Sequence, residues 1–479
     1  MYVFGSDAKA SPIKKSRAEY WAPCSLVNAQ AWTVMSSIKT RSLKQRPGLR
    51  GWGTNLTTGT PGYLIIHASY NVVTRPQTVH DIQSAHQGKD NMPPSWPPSG
   101  ANELGIATLS LGNWREHRLA PRLEAAAKDG YKWIDLFDEC WAAYLEEHGL
   151  PGHQLWEPSP ENLAVAHKLG NLVKSLGMRI ACTQPLRTIE GVKDPVERRA
   201  NFDLVAKRFP FMRAFDTDLV FMCANIRTDS GVTSDLKTVA RDLAELGDMA
   251  AEYARADGGP MLRIGYEGLS WAIRNTWSSS WEAVRFANRP NVGLIVDAFN
   301  VLAVEFADPY NPDGHGRIFS TLEESIQILT DSMTALATTV PGDRIFFFQC
   351  GDAELVNPAK FLPPSDPNTP ALLPWSRGHR LYPLEESRGS YMPVEIVGAA
   401  VLATGYQGPV SLEVFNASLN KPGNKIPREH SKRGIVGLQK LMKAANSLPP
   451  FWKSREDARQ AMAQVIERLQ SQPRSFEKL

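Results

Sequence analysis

The chain predicts an α/β fold, a (β/α)₈ barrel with a poorly ordered N-terminal extension and one extra C-terminal helix. Three observations predict it. Four short apolar runs each end in one acidic or amide side chain: MLRIGYE (261–267), NVGLIVD (291–297), RIFFFQ (344–349) and PVSLEVF (409–415, with Glu413). Apolar runs of about five to seven residues without polar alternation suit strands buried on both faces, as in a parallel sheet covered by helices. From Leu104 onward such runs alternate with amphipathic segments eight times, and eight strand–helix units with right-handed crossovers close into a barrel. Finally, 479 residues accommodate one barrel with insertions and extensions.

In chain order, residues 1–103 show no convincing periodicity and contain turn-rich stretches such as NMPPSWPPSG, so they read as an extension, with a short strand only near 63–66. The barrel spans 104–446. Its strands are expected at 105–111, 132–137, 178–183, 218–224, 261–267, 292–297, 345–350 and 410–415. Its helices are expected at 119–129, 160–176, 195–208, 235–255, 279–287, 321–338, 393–404 and 428–445. Ser159 before Pro160 offers an N-cap ahead of a proline that the first helical position tolerates, and Gly177 offers a left-handed stop. The proline-rich segment 357–373 can be neither helix nor strand. As a long loop after the seventh strand it is expected to be a lid or a substrate-binding segment. A helical tail, 447–479, holds an amphipathic helix near 455–469 whose apolar positions suit packing on the barrel or on a partner.

A formal charge of +3 is too small for a nucleic-acid or membrane surface, which leaves small-molecule chemistry. Five cysteines (Cys24, Cys140, Cys182, Cys223, Cys350) lie far apart without zinc spacing, as expected of reduced thiols in a cytoplasmic protein. No apolar stretch reaches the 18 or so residues that cross a bilayer. Phosphate-binding glycine loops are absent, and a homo-oligomer is compatible with everything above.

In a parallel barrel the strand C-termini share one mouth. Glu267, Asp297, Gln349 and Glu413 close strands five to eight. Burying unpaired carboxylates costs several kcal/mol, so this convergence predicts a cage around a divalent cation. All-oxygen ligation favours Mg²⁺ or Mn²⁺, with Co²⁺ a further candidate, over zinc.

From about Gly105 to Gly437 the chain resembles the xylose-isomerase-like barrels, and among them the 3-dehydroshikimate dehydratases, especially the fungal type. The resemblance rests on GIATLSLG (105–112), IDLF (134–137), QPLRTIEG (184–191), DLVFMCAN (218–225), YEGLSW (266–271), VDAFN (296–300), FQCGDAE (348–354), WSRGHR (375–380) and SLEVFN (411–416). It implies a divalent metal on the four residues already chosen. The third ligand is glutamine where the related sugar isomerases usually have histidine. It also places Arg187, Ser376 and Arg380 around a small carboxylate substrate, with Trp271 and Trp375 at the mouth. A guanidinium fork matches a carboxylate, which makes Arg380, with Ser376 about a turn before it, the expected clamp; Glu190 is the expected ion-pair partner of Arg187. The implied reaction removes a proton next to a metal-polarised ketone and then water. Glu413, Glu267 and His379 are the candidates for the base. Two positions depart from the family: Asn300 stands where bacterial members have histidine, and Asp135 where glutamate is common. A sugar or inosose isomerase on the same scaffold would need no carboxylate clamp. A metal-dependent endonuclease would need a histidine cluster that these strand ends lack. A non-catalytic descendant is at odds with four retained ligands.

Overall fold

The computed structural model describes residues 102–471. The expected extension (but for its last two residues) and the strand near 63–66 lie outside the described residues, as do residues 472–479. The strands are β1 (Leu104–Ala107), β2 (Trp133–Phe137), β3 (Arg179–Leu186), β4 (Leu219–Cys223), β5 (Arg263–Glu267), β6 (Val292–Asp297), β7 (Ile345–Cys350), β8 (Asp352–Ala353), β9 (Arg380–Leu381) and β10 (Val410–Leu412). Strands β1 to β7 and β10 pair in parallel into one closed barrel, in which β10 lies between β7 and β1. Its strands are buried almost throughout, which is why they read as apolar runs without alternation.

All eight expected strands are present, and the first and last are shorter than expected. After Ala107 the chain tightens into a 3₁₀ turn, Thr108–Leu111. There Arg122 Nη1 donates to the Thr108 carbonyl at 2.9 Å and the Phe137 amide donates to Thr108 Oγ1 at 3.1 Å. These bonds take groups that a longer strand would need for its ladder. β10 stops at Leu412, so Glu413 lies one residue past the strand. The strand pair β8–β9 is antiparallel and separate from the barrel.

The eight expected helices are also present. Ser159 caps Pro160–Ser175 by accepting the Asn162 amide at 3.1 Å, and Gly177 adopts φ 71° beyond the helix end. Four further helices, Asp138–Glu147, Phe209–Phe215, Ala298–Glu305 and Leu373–Gly378, lie at or beyond the margins of the expected set. Within 357–372 no helix or strand forms. That loop is tied down by Tyr310, stacked on Phe361 at 5.4 Å and donating from its hydroxyl to the Ala371 carbonyl at 2.6 Å. The tail helix Arg455–Ser471 packs on the barrel's own helices. It buries Ala461, Val465 and Leu469, and Arg468 forks onto Glu395 at 2.6 and 2.8 Å. Among the described residues no helix is long and apolar enough to cross a membrane.

Candidate active site

Glu267 ends β5 and Asp297 ends β6, and Gln349 lies opposite Asp297 in the β6–β7 ladder. Glu413 follows β10, whose Ser411 pairs with Gln349. All four side chains are buried at the same end of the barrel. Asn300 bridges the first two, its Nδ2 donating to Glu267 Oε1 at 3.0 Å and to Asp297 Oδ2 at 2.8 Å. Arg380 bridges the second and the fourth, its Nη1 donating to Asp297 Oδ2 at 2.9 Å and to Glu413 Oε2 at 3.0 Å. Cys223 donates its thiol to Glu267 Oε2 at 3.1 Å. Asp297 also caps the helix Ala298–Glu305, its Oδ1 accepting the Phe299 amide at 2.9 Å.

The electrostatics follow from burial. Desolvation raises the pKa of Glu267 well above the usual range, and the neighbouring charges of Asp297 and Glu413 raise it further. Burial also raises Asp297 and Glu413, with Arg380 pulling both back down. Ionised together, three carboxylates against one guanidinium would leave two negative charges to be balanced. A divalent cation balances two, and its field would favour the ionised forms. The donor set fits such an ion: three carboxylates and the Gln349 amide oxygen, a buried acceptor without a hydrogen-bond partner. Among the described residues no three acidic, imidazole or thiol side chains stand close enough to grip one ion as placed. The interposed donors Asn300 and Arg380 hold the carboxylates apart.

The other expected residues take the following places. Arg380 is enclosed by protein groups. It is 1% exposed, bonds Asp297 and Glu413, and takes Ser376 Oγ at 3.2 and 3.3 Å. Its guanidinium also lies 3.9 Å from the Phe299 ring centre. Its placement between two buried carboxylates follows from the cost of leaving either unpaired. His379 turns away, with Nδ1 2.8 Å from Glu354 Oε2 and its ring edge-on to Phe361. No described contact joins it to the four strand-end residues. Glu190 does not pair with Arg187: its Oε1 accepts the Asn225 amide at 2.6 Å and the Tyr266 hydroxyl at 2.9 Å. Trp271 is half-buried against the core, and Trp375 is fully buried against Phe299. Asn300, a departure in the sequence, is held by Ser270, whose amide and hydroxyl both donate to its Oδ1.

The site contains residues that sequence reasoning did not assign to it. Asp135 on β2 is fully buried, its Oδ2 accepting Gln349 Nε2 at 2.9 Å and its Oδ1 accepting Ser411 Oγ at 2.7 Å. Burial pushes its carboxyl up to about 7, against the pull of those two hydrogen bonds. Arg377, on the helix Leu373–Gly378, lies over Phe415 at 4.1 Å, half-buried. Arg187 is also half-buried, and its charge is felt at both Glu413 and Arg377. Desolvation, followed by the like charge of Arg187, lowers Arg377 to about 10. Among the described residues neither guanidinium hydrogen-bonds or ion-pairs with a carboxylate. Arg377 stands among the flagged residues of WSRGHR; what sets it apart is that no carboxylate among the described residues pairs with it, which only the fold shows.

Residues 123–441 match the model of the xylose isomerase-like TIM barrels. The chain belongs to the xylose isomerase-like TIM barrel family. Within this family it is 30% identical over 354 residues to a 3-dehydroshikimate dehydratase of Neurospora crassa, covering 71% of this chain and 94% of that protein. It is 31% identical over 340 residues to a 3-dehydroshikimate dehydratase of Pseudomonas aeruginosa, covering 70% of this chain but 42% of that longer protein. Among solved structures, a xylose isomerase-like TIM barrel/4-hydroxyphenylpyruvate dioxygenase fusion protein superposes with a TM-score of 0.51 at 28% identity, over 72% of this chain and 43% of that one.

Proposed function

We propose that this chain is a hydro-lyase that converts 3-dehydroshikimate to protocatechuate with the aid of a divalent cation, Mg²⁺ or Mn²⁺. The observation that carries the reading is the pairing, at one barrel mouth, of three buried carboxylates and the Gln349 amide oxygen with two arginines that have no protein carboxylate. A cation and a small carboxylate are the complementary ligands. The dehydratase relatives supply the particular acid, and the four buried free cysteines among the described residues suit a cytoplasmic setting.

Glu267, Asp297, Gln349 and Glu413 would hold the cation. When bound, the ion supplies Lewis-acid polarisation of the substrate ketone and its neighbouring hydroxyl, worth several kcal/mol. Arg187 and Arg377 hold the ring carboxylate, a role that now falls to them because Arg380 is engaged by the protein. Ser376, which already anchors Arg380, and Trp271 at the mouth orient the ring. The ring proton is assigned to Glu413 Oε1, which has no partner among the described residues; Glu267, held by Asn300 and Cys223, is less free to move. The hydroxyl leaves with that proton as water, and aromatisation drives the reaction forward. A neutral ketose would make no use of two unpaired guanidinium groups, which disfavours the isomerase reading.

The test is ultraviolet detection of protocatechuate from 3-dehydroshikimate, using protein stripped by chelator and then supplied with Mg²⁺ or Mn²⁺. Metal-restored product formation is expected. Turnover of neutral ketoses with none of the acid would overturn the assignment.

A further inference from the structure

Gln349 differs from the carboxylates around it in having two unlike ends, and only its oxygen can ligate a cation. Asp135 decides which end faces inward. Its Oδ2 accepts Gln349 Nε2 at 2.9 Å, and its own orientation is set by the Ser411 hydroxyl at 2.7 Å, with Gln184 Nε2 at 3.5 Å. With Oδ1 accepting from the Ser411 hydroxyl and Oδ2 accepting from Gln349 Nε2, Asp135 is the acceptor in both bonds, so the amide presents its NH₂ to Asp135 and its Oε1 to the opposite side. There Oε1 is buried and has no partner among the described residues. An unsatisfied buried acceptor is costly, so the fold holds the amide in an orientation that a bound cation would complete. Room for the network comes from Gly105, which pairs with Ser411 across β1 and β10. A Cβ there would stand 2.9 Å from Ser411 Oγ.

We infer that Asp135 is a positioning residue that fixes the amide of Gln349 with its oxygen toward the cation site. The inference rests on the cation reading of the site. Asp135→Asn keeps size and shape but lets Nδ2 donate to Gln349 Oε1, while Oδ1 still accepts from Ser411; this turns the Gln349 NH₂ inward. Combining it with Gln349→Glu restores an acceptor on both sides of position 349 and returns the original net charge.

The experiment titrates the full-length proteins with Mn²⁺ and follows free Mn²⁺ by electron paramagnetic resonance, with thermal melts to confirm folding. Asp135→Asn should bind Mn²⁺ on the order of 10–100-fold more weakly than wild type, the usual effect of removing an outer-shell partner. The double variant should recover most of that loss. Wild-type affinity in a folded Asp135→Asn protein overturns the inference and leaves the cation reading intact. A wild-type protein that binds no Mn²⁺ removes the cation reading itself, and this inference with it. If Asp135→Asn does not fold, Ser411→Ala decides: a several-fold weaker affinity supports the positioning role, and an unchanged one overturns it.

Discussion

Arg380 holds one positive charge against Asp297 and Glu413 where water is excluded. Replacing it with methionine strips both carboxylates of their counter-charge, and losing one partner of a buried pair costs about 3–5 kcal/mol. Arg380→Met should therefore melt well below wild type in chelator, and Mn²⁺ should narrow the gap; calorimetry with and without Mn²⁺ checks this, and equal melting in chelator would refute it. For the unpaired arginines, Arg187→Ala or Arg377→Ala should each raise KM for 3-dehydroshikimate by roughly 10–100-fold, the scale of a lost charge-assisted hydrogen bond. Steady-state kinetics showing an unchanged KM in both would remove them from the site. A third outcome concerns pH. Burial lifts Glu190 to about 7 from 4.5, so the unfolded chain ionises first as pH rises. The native state then loses stability between about pH 4.5 and 7, and the penalty is constant above that. Relative to Glu190→Gln, wild type should thus lose roughly 1–3 kcal/mol across that window in urea titrations; a flat difference would contradict it. The four strand-end residues were legible because a polar group ending an apolar run demands a partner. Asp135 was not assigned a role because its function lies in Gln349 and Ser411, on strands more than 200 positions away.

At the scale of elements, strands and amphipathic helices were legible wherever a turn separates them. Where a helix starts on the last residue of a strand, it was hidden. Asp297 both ends β6 and caps Ala298–Glu305, and Asp138–Glu147 follows Phe137 directly, so no break in hydrophobic pattern marks either junction. The tail helix was legible from its stripe, but what it packs on was not. Glu395 is 2% exposed and depends on Arg468 for its charge partner. Truncation after residue 453 would leave that carboxylate buried alone and uncover the surface covered by Val465 and Leu469. A loss of several kcal/mol in urea unfolding is expected; a truncated protein as stable as the full chain would show that the helix contributes no packing.

For the whole molecule, the closed order of eight parallel strands was legible from the count of units and from chirality rules. Which strands are neighbours at the seam follows from closure alone. What periodicity does not carry is the detour between β7 and β10, where the pair β8–β9 and the helix Leu373–Gly378 bring Arg377 and Arg380 to the mouth. Those elements are two to six residues long, too short to leave a periodic signature.

That seam has a consequence in time. Leu104 pairs with Val410, which is 410 − 104 = 306 positions later. At a synthesis rate of roughly 5–20 residues per second, β10 is made roughly 15–60 seconds after β1. Throughout that interval one edge of β1 has no strand to bond, and once β5 and β6 are made their carboxylates await Arg380 and Glu413. Ribosome-stalled chains ending before Val410 should leave the segment Leu104–Ala107 open to amide exchange, and chains extended past Ser447 should protect it. Cells that make this barrel therefore carry β1 with one edge unpaired for roughly 15–60 seconds before the last stave closes the cylinder.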